Sequence, residues 1–305
     1  MNTLVEQINY YLNYCKYQKK LDEKTLKAYR IDLTQFAAYF ERELEPLTKS
    51  CISLYIQVLH QKYKPKTVKR KIACIRAFVN YLEFDEQIET NPISKIRLEF
   101  REPTTLPKSL PLKTIRKLIQ TAHHSLGKKQ SAFQYNMGLR NTAVLELLFA
   151  TGLRVSELCA IKATDIDLKN GYLKVWGKGS KERIIFISNQ EALSVLRKYK
   201  VAFLKQIEST GWFFINRLSR KLTEQSVRDI ILSYSELAKI PEHITPHMLR
   251  HSFATLMLEE DVDIRYIQSI LGHSSISTTQ IYTYVSLGKQ KNIMRKKHPR
   301  NRITV

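Results

Sequence analysis

The sequence predicts a mainly α-helical protein in two domains: a basic four-helix N-terminal domain, then a mostly α C-terminal domain carrying one small β-hairpin. Three observations predict it. Apolar residues recur at helical spacing along most of the chain, prolines interrupt them between residues 98 and 108, and one glycine-punctuated run of β-prone residues follows in the second half. With 305 residues, each half is long enough to bury its own core. A hydrophobic fraction of 43% with 10% aromatic residues argues for packed cores over disorder.

In the first domain, residues 3–18 read as the first helix. "KTLKAYRIDLTQFAAYF" (Lys24 to Phe40) and "KTVKRKIACIRAFVNYL" (Lys66 to Leu82) echo each other: both open on Lys-Thr, place apolar residues at helical spacing and close on an aromatic-rich turn. Thr48 to Tyr63 supplies the helix between them. The outer faces are basic, with an ordinary solvated face as the plain alternative for their lysines. From Asn91 the pattern dissolves into "NPISKIRLEFREPTTLPKSLP", where Pro92, Pro103, Pro107 and Pro111 leave no sustained period; this is the expected interdomain linker.

The second domain opens with a helix over Leu112 to His123. Asn141 to Ala150 reads as a nearly fully buried helix, Gly152 permits a sharp reversal, and Ser156 is the expected cap of a short helix beyond it. Tyr172 to Trp176 and Arg183 to Ile187 are β-prone runs around Gly177-Lys178-Gly179-Ser180-Lys181, the signature of a hairpin. Helical period returns over Glu191 to Gln206 and Thr223 to Leu237. Thr245-Pro246 marks a helix start, cap then proline, running to about Glu259. Another helix runs from Asp263 to Leu271 and stops at Gly272, and Ser277 with Gln280 forms a capping box for a last one carrying Tyr282.

Fifty Lys and Arg against 28 Asp and Glu give a net charge of +22, spread through both halves, which calls for a polyanionic partner without choosing among DNA, RNA and an anionic membrane surface. Cys15, Cys51, Cys74 and Cys159 are widely spaced with no paired-ligand pattern, so they read as buried thiols of a reducing compartment. No signal-peptide pattern opens the chain and no run of 18 apolar residues occurs, so secretion and membrane spanning are not expected.

Several residues have the placement that phosphate chemistry needs. His247 and Arg250 lie three apart inside the helix begun by Thr245-Pro246, on one face near an end whose backbone donors favour an anion. A surface His and Arg is the plain alternative. Arg154 follows the glycine turn, a rigid mount for a fork of donors, with Glu157 one turn on either tethering an arginine or capping its own helix. Lys178 in the hairpin loop suits a proton donor to a leaving 5′ oxygen, whereas Lys181 and Arg183 suit backbone phosphates; a solvated basic turn is the competing reading. His273 follows Gly272, and Tyr282 lies nine residues on. A tyrosine nucleophile would store the broken phosphodiester bond for rejoining without ATP, but the residues alone do not separate Tyr282 from Tyr284. No acidic cluster has two-metal geometry, and His243, His247 and His251, though four apart, have no completing ligand, so neither a metal nor a cofactor is expected.

Four segments together resemble the tyrosine recombinase (phage integrase-like) family, most closely its short Xer-type members. "ATGLRVSEL" (Ala150 to Leu158) is similar to the segment of the first catalytic arginine, falling on Arg154. "GKGSKERIIF" (Gly177 to Phe186) is similar to the lysine hairpin, falling on Lys178. "TPHMLRHSFAT" (Thr245 to Thr255) is similar to the His-x-x-Arg box, falling on His247 and Arg250, and "LGHSSISTTQIYTYV" (Leu271 to Val285) to the last box, falling on His273 and the nucleophile Tyr282. The resemblance, and not the spacing, selects Tyr282 over Tyr284. It implies a SAM-like core DNA-binding domain at 1–98, a linker at 99–107, a catalytic domain at 108–288 and a basic tail at 289–305 that contacts a neighbouring subunit or tracks DNA. The implied activity is site-specific strand exchange on double-stranded DNA with inverted-repeat half-sites. It proceeds through a 3′-phosphotyrosyl link and a four-way junction, in a homotetramer or a heterotetramer with a related recombinase. A Xer-like role would be cytoplasmic, resolving chromosome, plasmid or transposon dimers, with a cell-division DNA translocase as a partner. Tyr284 stands where close Xer-like members often have histidine, which keeps a mobile-element integrase or transposase as the alternative, ahead of a type IB topoisomerase and a catalytically dead DNA-binding regulator.

Overall fold

The computed structural model describes residues 3–43, 47–94, 96, 109–128, 131–176 and 182–272. The chain divides into two compact units, Met1–Thr104 and Thr105–Val305. The expected linker at 99–107 and tail at 289–305 lie outside the described residues.

The first unit is built from α1 (Leu4–Tyr17), α2 (Glu23–Glu43), α3 (Lys49–Lys62) and α4 (Pro65–Phe84). Local chemistry fixes where they begin. Thr3 and Glu6 form a reciprocal capping box at α1, the Thr48 hydroxyl accepts the Cys51 N–H at α3, and Pro65 occupies the first position of α4, where no donor is needed. The helices meet over Tyr11, Leu33, Phe36, Tyr55, Phe78 and Leu82, all buried. One polar cluster lies inside this contact: the buried Asp32 of α2 pairs with Arg70 and, at 2.9 Å, with the buried Lys71 of α4. The pairing fixes the register of α2 against α4, since a slip of either helix would strand a charge in the core.

The second unit contains α5 (Leu112–Leu126), α6 (Ala132–Thr151), α7 (Val155–Cys159), a 3-10 turn (Ala163–Asp165), β1 (Ile166–Asp167), β2 (Tyr172–Trp176), β3 (Glu182–Phe186), α8 (Gln190–Ala202), α9 (Leu204–Thr210), α10 (Glu224–Leu237), α11 (Pro246–Glu259) and α12 (Ile264–Leu271). Helix α6 is the central element: α5, α8, α10 and α11 all pack against it, and its second half is buried on every side. The strands form an antiparallel sheet in the order β1-β2-β3, with Leu173 opposite Ile185 and Val175 opposite Arg183.

Three elements differ from the sequence expectation. Helix α6 starts at Ala132 and not near Asn141, because Ser131 and Gln134 form a capping box ahead of a first half that is largely exposed. The helix expected over Glu191 to Gln206 breaks at Phe203 (φ −115°, ψ 17°), where the ring turns into the core against Tyr199, 5.0 Å between centroids. The hairpin gains β1, whose two residues are too short to show a period. All four cysteines are buried and unbridged. Among the described residues no helix is long and apolar enough to cross a membrane.

Candidate active site

The site grows from the C-terminal end of α6. Gly152 closes that helix in the left-handed region (φ 62°, ψ 24°), and a Cβ there would lie 2.7 Å from the Phe253 ring and 2.9 Å from Leu271. Only glycine combines this turn with so close an approach of α11 and α12. Gly152→Ala is therefore expected to cost about 2–4 kcal/mol, combining left-handed strain with overpacking. Chemical denaturation would reveal it, and a loss under about 0.5 kcal/mol would contradict the account.

The reversal delivers Arg154 as the N-cap residue of α7. Ser156, the expected cap, is already inside the helix; the Glu157 carboxylate reaches back instead and accepts the Arg154 N–H at 2.9 Å. Glu157 thus takes both roles that its position allowed. Its Oε1 also accepts from Arg154 Nη1 at 2.8 Å and Arg183 Nη1 at 3.1 Å, its Oε2 from Arg183 Nη2 at 2.8 Å, and Arg250 Nη1 stands 3.8 Å from Oε2. Burial alone would raise this carboxyl's pKa, but the Arg183 hydrogen bonds, the Arg154 N–H and the surrounding positive charge outweigh it and hold the pKa below the ordinary value.

Arg250 comes from α11, whose start is set by the Thr245 hydroxyl capping the Met248 N–H and by Pro246. Its guanidinium is buried and donates to the Gly152 carbonyl at 2.8 Å and the Leu271 carbonyl at 2.6 Å. The last turn of α12 supplies further acceptors: Arg183 Nε donates to Ile270 O at 2.9 Å, and Arg154 approaches Leu271 O and Gly272 O at 3.4 Å. Carbonyls at a helix C-terminus have no partner within the helix and carry the negative end of its dipole, so they gather cations. Three arginines, one carboxylate and two helix ends therefore form one rigid cluster. Arg154 is its open edge, with its side chain 36% exposed against 6% for Arg250.

His247 is an exposed residue in the first turn of α11. Partial desolvation first, then the charges of Arg250, Arg228 and Arg154, push its pKa below the ordinary histidine value, so the ring is neutral at neutral pH. A neutral imidazole offers one donor and one acceptor. The structure brings Arg154, His247 and Arg250 into one neighbourhood, whereas Lys178, His273 and Tyr282 lie outside the described residues. Arg183 is what the sequence reading misplaced: expected on backbone phosphates, it is instead nearly buried against Glu157. The signal was its strand position, because Arg183 shares a face with the buried Ile185 and sits opposite the buried Val175. A charge on the inward face of a strand requires an internal partner.

A rigid arginine cluster with a neutral histidine at its rim, in a strongly basic helical chain, is an arrangement suited to binding a phosphate of a polyanion. The model of the phage integrase family matches residues 108–288, and that of its N-terminal SAM-like domain matches residues 8–85. A tyrosine recombinase of Agathobacter rectalis is 49% identical over 98% of both chains, and tyrosine recombinase XerD of Listeria monocytogenes is 36% identical over 98% of this chain and all of that one. Among solved structures, the XerH site-specific recombinase bound to a palindromic difH substrate in a post-cleavage complex superposes with a TM-score of 0.76 at 22% identity, covering 93% of this chain and 83% of that one. The chain belongs to the phage integrase family of tyrosine recombinases. It is a site-specific DNA recombinase.

Proposed function

We propose that Arg154, Lys178, His247, Arg250, His273 and Tyr282 form the cleavage site of this recombinase. Arg154, Arg250, His247 and His273 hold the scissile phosphate, and the two arginines neutralise its charge. The Tyr282 hydroxyl loses its proton to water as its oxygen bonds to phosphorus, the bond to the 5′ oxygen breaks, and Lys178 protonates that leaving oxygen. The 5′ hydroxyl of a partner duplex then attacks the 3′ phosphotyrosine and releases Tyr282. Repetition on the second strand pair resolves a four-way junction. The observation that carries this reading is the fixed Arg154–Glu157–Arg250 cluster, with Arg154 exposed at its edge where an anion can approach.

The assembly in this reading is a tetramer on inverted-repeat half-sites, homomeric or shared with a related recombinase. Residues 1–98 grip the core site, 99–107 link, 108–288 cut, and 289–305 contact a neighbour or DNA. The cellular task is Xer-like resolution of chromosome, plasmid or transposon dimers in the cytoplasm, with a cell-division DNA translocase as partner in the chromosomal case. Support for that task comes from the likeness to proteins named XerC and XerD over nearly the whole chain.

Covalent capture tests the reading. On nicked suicide duplexes made from inverted repeats of the source genome, the protein is expected to form a 3′-linked adduct whose phosphopeptide contains Tyr282. The genomic position of the captured site then separates dimer resolution from element movement. No adduct on any tightly bound site, even with a related recombinase added, would refute it. Lys178→Ala is expected to slow cleavage by about 10²–10⁴-fold and to regain most of that rate when sulfur replaces the leaving 5′ oxygen. Absence of rescue would make Lys178 a phosphate ligand and not the acid.

A further inference from the structure

Arg183 has no part in the chemistry just described, yet all three of its guanidinium nitrogens are engaged in the cluster. Its fork covers both oxygens of Glu157, at 3.1 and 2.8 Å, while its Nε holds the Ile270 carbonyl of α12 at 2.9 Å. With its side chain 12% exposed, it has little surface to offer DNA. Its effect on the site therefore passes through the groups it holds, the Glu157 carboxylate by two hydrogen bonds and the end of α12 by one. Without Arg183, the cations beside the buried carboxylate among the described residues would be Arg154 and Arg250, and both would be drawn into forked pairing with it. With Arg183 in place, Arg154 makes only a one-point contact with the carboxylate through its side chain, from Nη1 at 2.8 Å. Among the described residues, one carboxylate faces three guanidiniums, so this group carries a net positive charge of two. That matches a phosphodiester, which carries one negative charge and gains a second as the fifth oxygen adds.

We propose that Arg183 is a positioning residue for strand cleavage: by saturating Glu157, it leaves Arg154 and Arg250 their charge for the scissile phosphate. The proposal rests on the reading that those two arginines hold the phosphate.

The test is single-turnover cleavage of a nicked suicide duplex at saturating protein, below the unfolding transition of each variant, alongside the Kd for uncut duplex. Arg183→Gln removes one positive charge and is expected to slow cleavage at least about tenfold with Kd within about threefold of wild type. Adding Glu157→Gln restores the charge count, and the double variant is expected to recover to within about threefold of the wild-type rate. Arg183→Lys keeps the charge but gives up the fork, so it is expected to cleave faster than Arg183→Gln and no faster than wild type. Purely structural support would move unfolding midpoints without this charge-dependent recovery of rate. Wild-type cleavage by Arg183→Gln, or a folded double variant as slow as the single one, would overturn the proposal. If Arg183→Gln does not fold, Arg183→Lys and the double variant decide: tenfold losses in both, with the proteins folded, would overturn it equally. Should the wild-type chain form no adduct on a duplex that it binds, the cleavage reading itself fails and takes the proposal with it.

Discussion

Glu157→Gln is expected to destabilise the second unit by about 3–5 kcal/mol at neutral pH, the usual consequence of removing one member of a buried charge cluster. The carboxylate is 7% exposed and receives hydrogen bonds from Arg154 and Arg183, with Arg250 at 3.8 Å. Glutamine keeps the shape and one acceptor but leaves three guanidiniums facing one another. The pH dependence has a definite sign. Because the folded-state pKa of Glu157 lies below its ordinary value of 4.5, its stabilisation is fully present above that value and is lost as pH falls through the folded-state value. The gap in unfolding free energy between wild type and Glu157→Gln should thus be constant from pH 8 to pH 6 and narrow in acid. Urea denaturation at several pH values measures it, and a gap under about 1 kcal/mol at pH 7 would mean that the cluster does not hold the unit together. In Arg183→Gln/Glu157→Gln the loss should be smaller than in Glu157→Gln alone, since each charge was costly only without the other.

Much of this architecture was legible because local chemistry set it. Thr245-Pro246 could only open a helix, Gly152 followed a run too apolar to be exposed, and Asp263 and Gly272 mark the two ends of α12 as expected. Elements without such punctuation escaped. The first half of α6 has no stripe because so little of it is buried, and the break at Phe203 depends on a ring partner in α8 that no propensity reveals. The same division applies to the site. Arg154, His247 and Arg250 were candidates because each follows a recognisable turn or cap, and the structure places them in one neighbourhood. Which groups their side chains meet could not be read, because the partners are distant in sequence: Arg250 donates to a carbonyl 98 residues away, and Arg183 binds a carboxylate 26 residues away. Periodicity reports the face on which a residue lies and not what waits on the opposite wall.

Tyr282→Phe is expected to abolish covalent capture and recombination, a loss of at least about 10⁴-fold, while duplex affinity stays within about twofold of wild type. The asymmetry follows from the division of labour. In the proposed reading affinity is supplied by many Lys and Arg contacts to phosphates, as a net charge of +22 allows, so its salt dependence should be the same in wild type and variant. Chemistry, by contrast, depends on one oxygen that becomes bonded to phosphorus, and phenylalanine removes that oxygen while keeping the ring. Tyr284 is the control that gives the result its meaning. If the segment forms the helix that its Ser277 and Gln280 box predicts, two positions correspond to a rotation of roughly 200°, so only one of the two tyrosines can face the arginine cluster. Tyr284→Phe should accordingly retain the adduct. An adduct that survives Tyr282→Phe and disappears in Tyr284→Phe would move the nucleophile by two residues while leaving the roles of Arg154, His247 and Arg250 intact. An adduct that survives both changes would remove the tyrosine mechanism from this segment altogether.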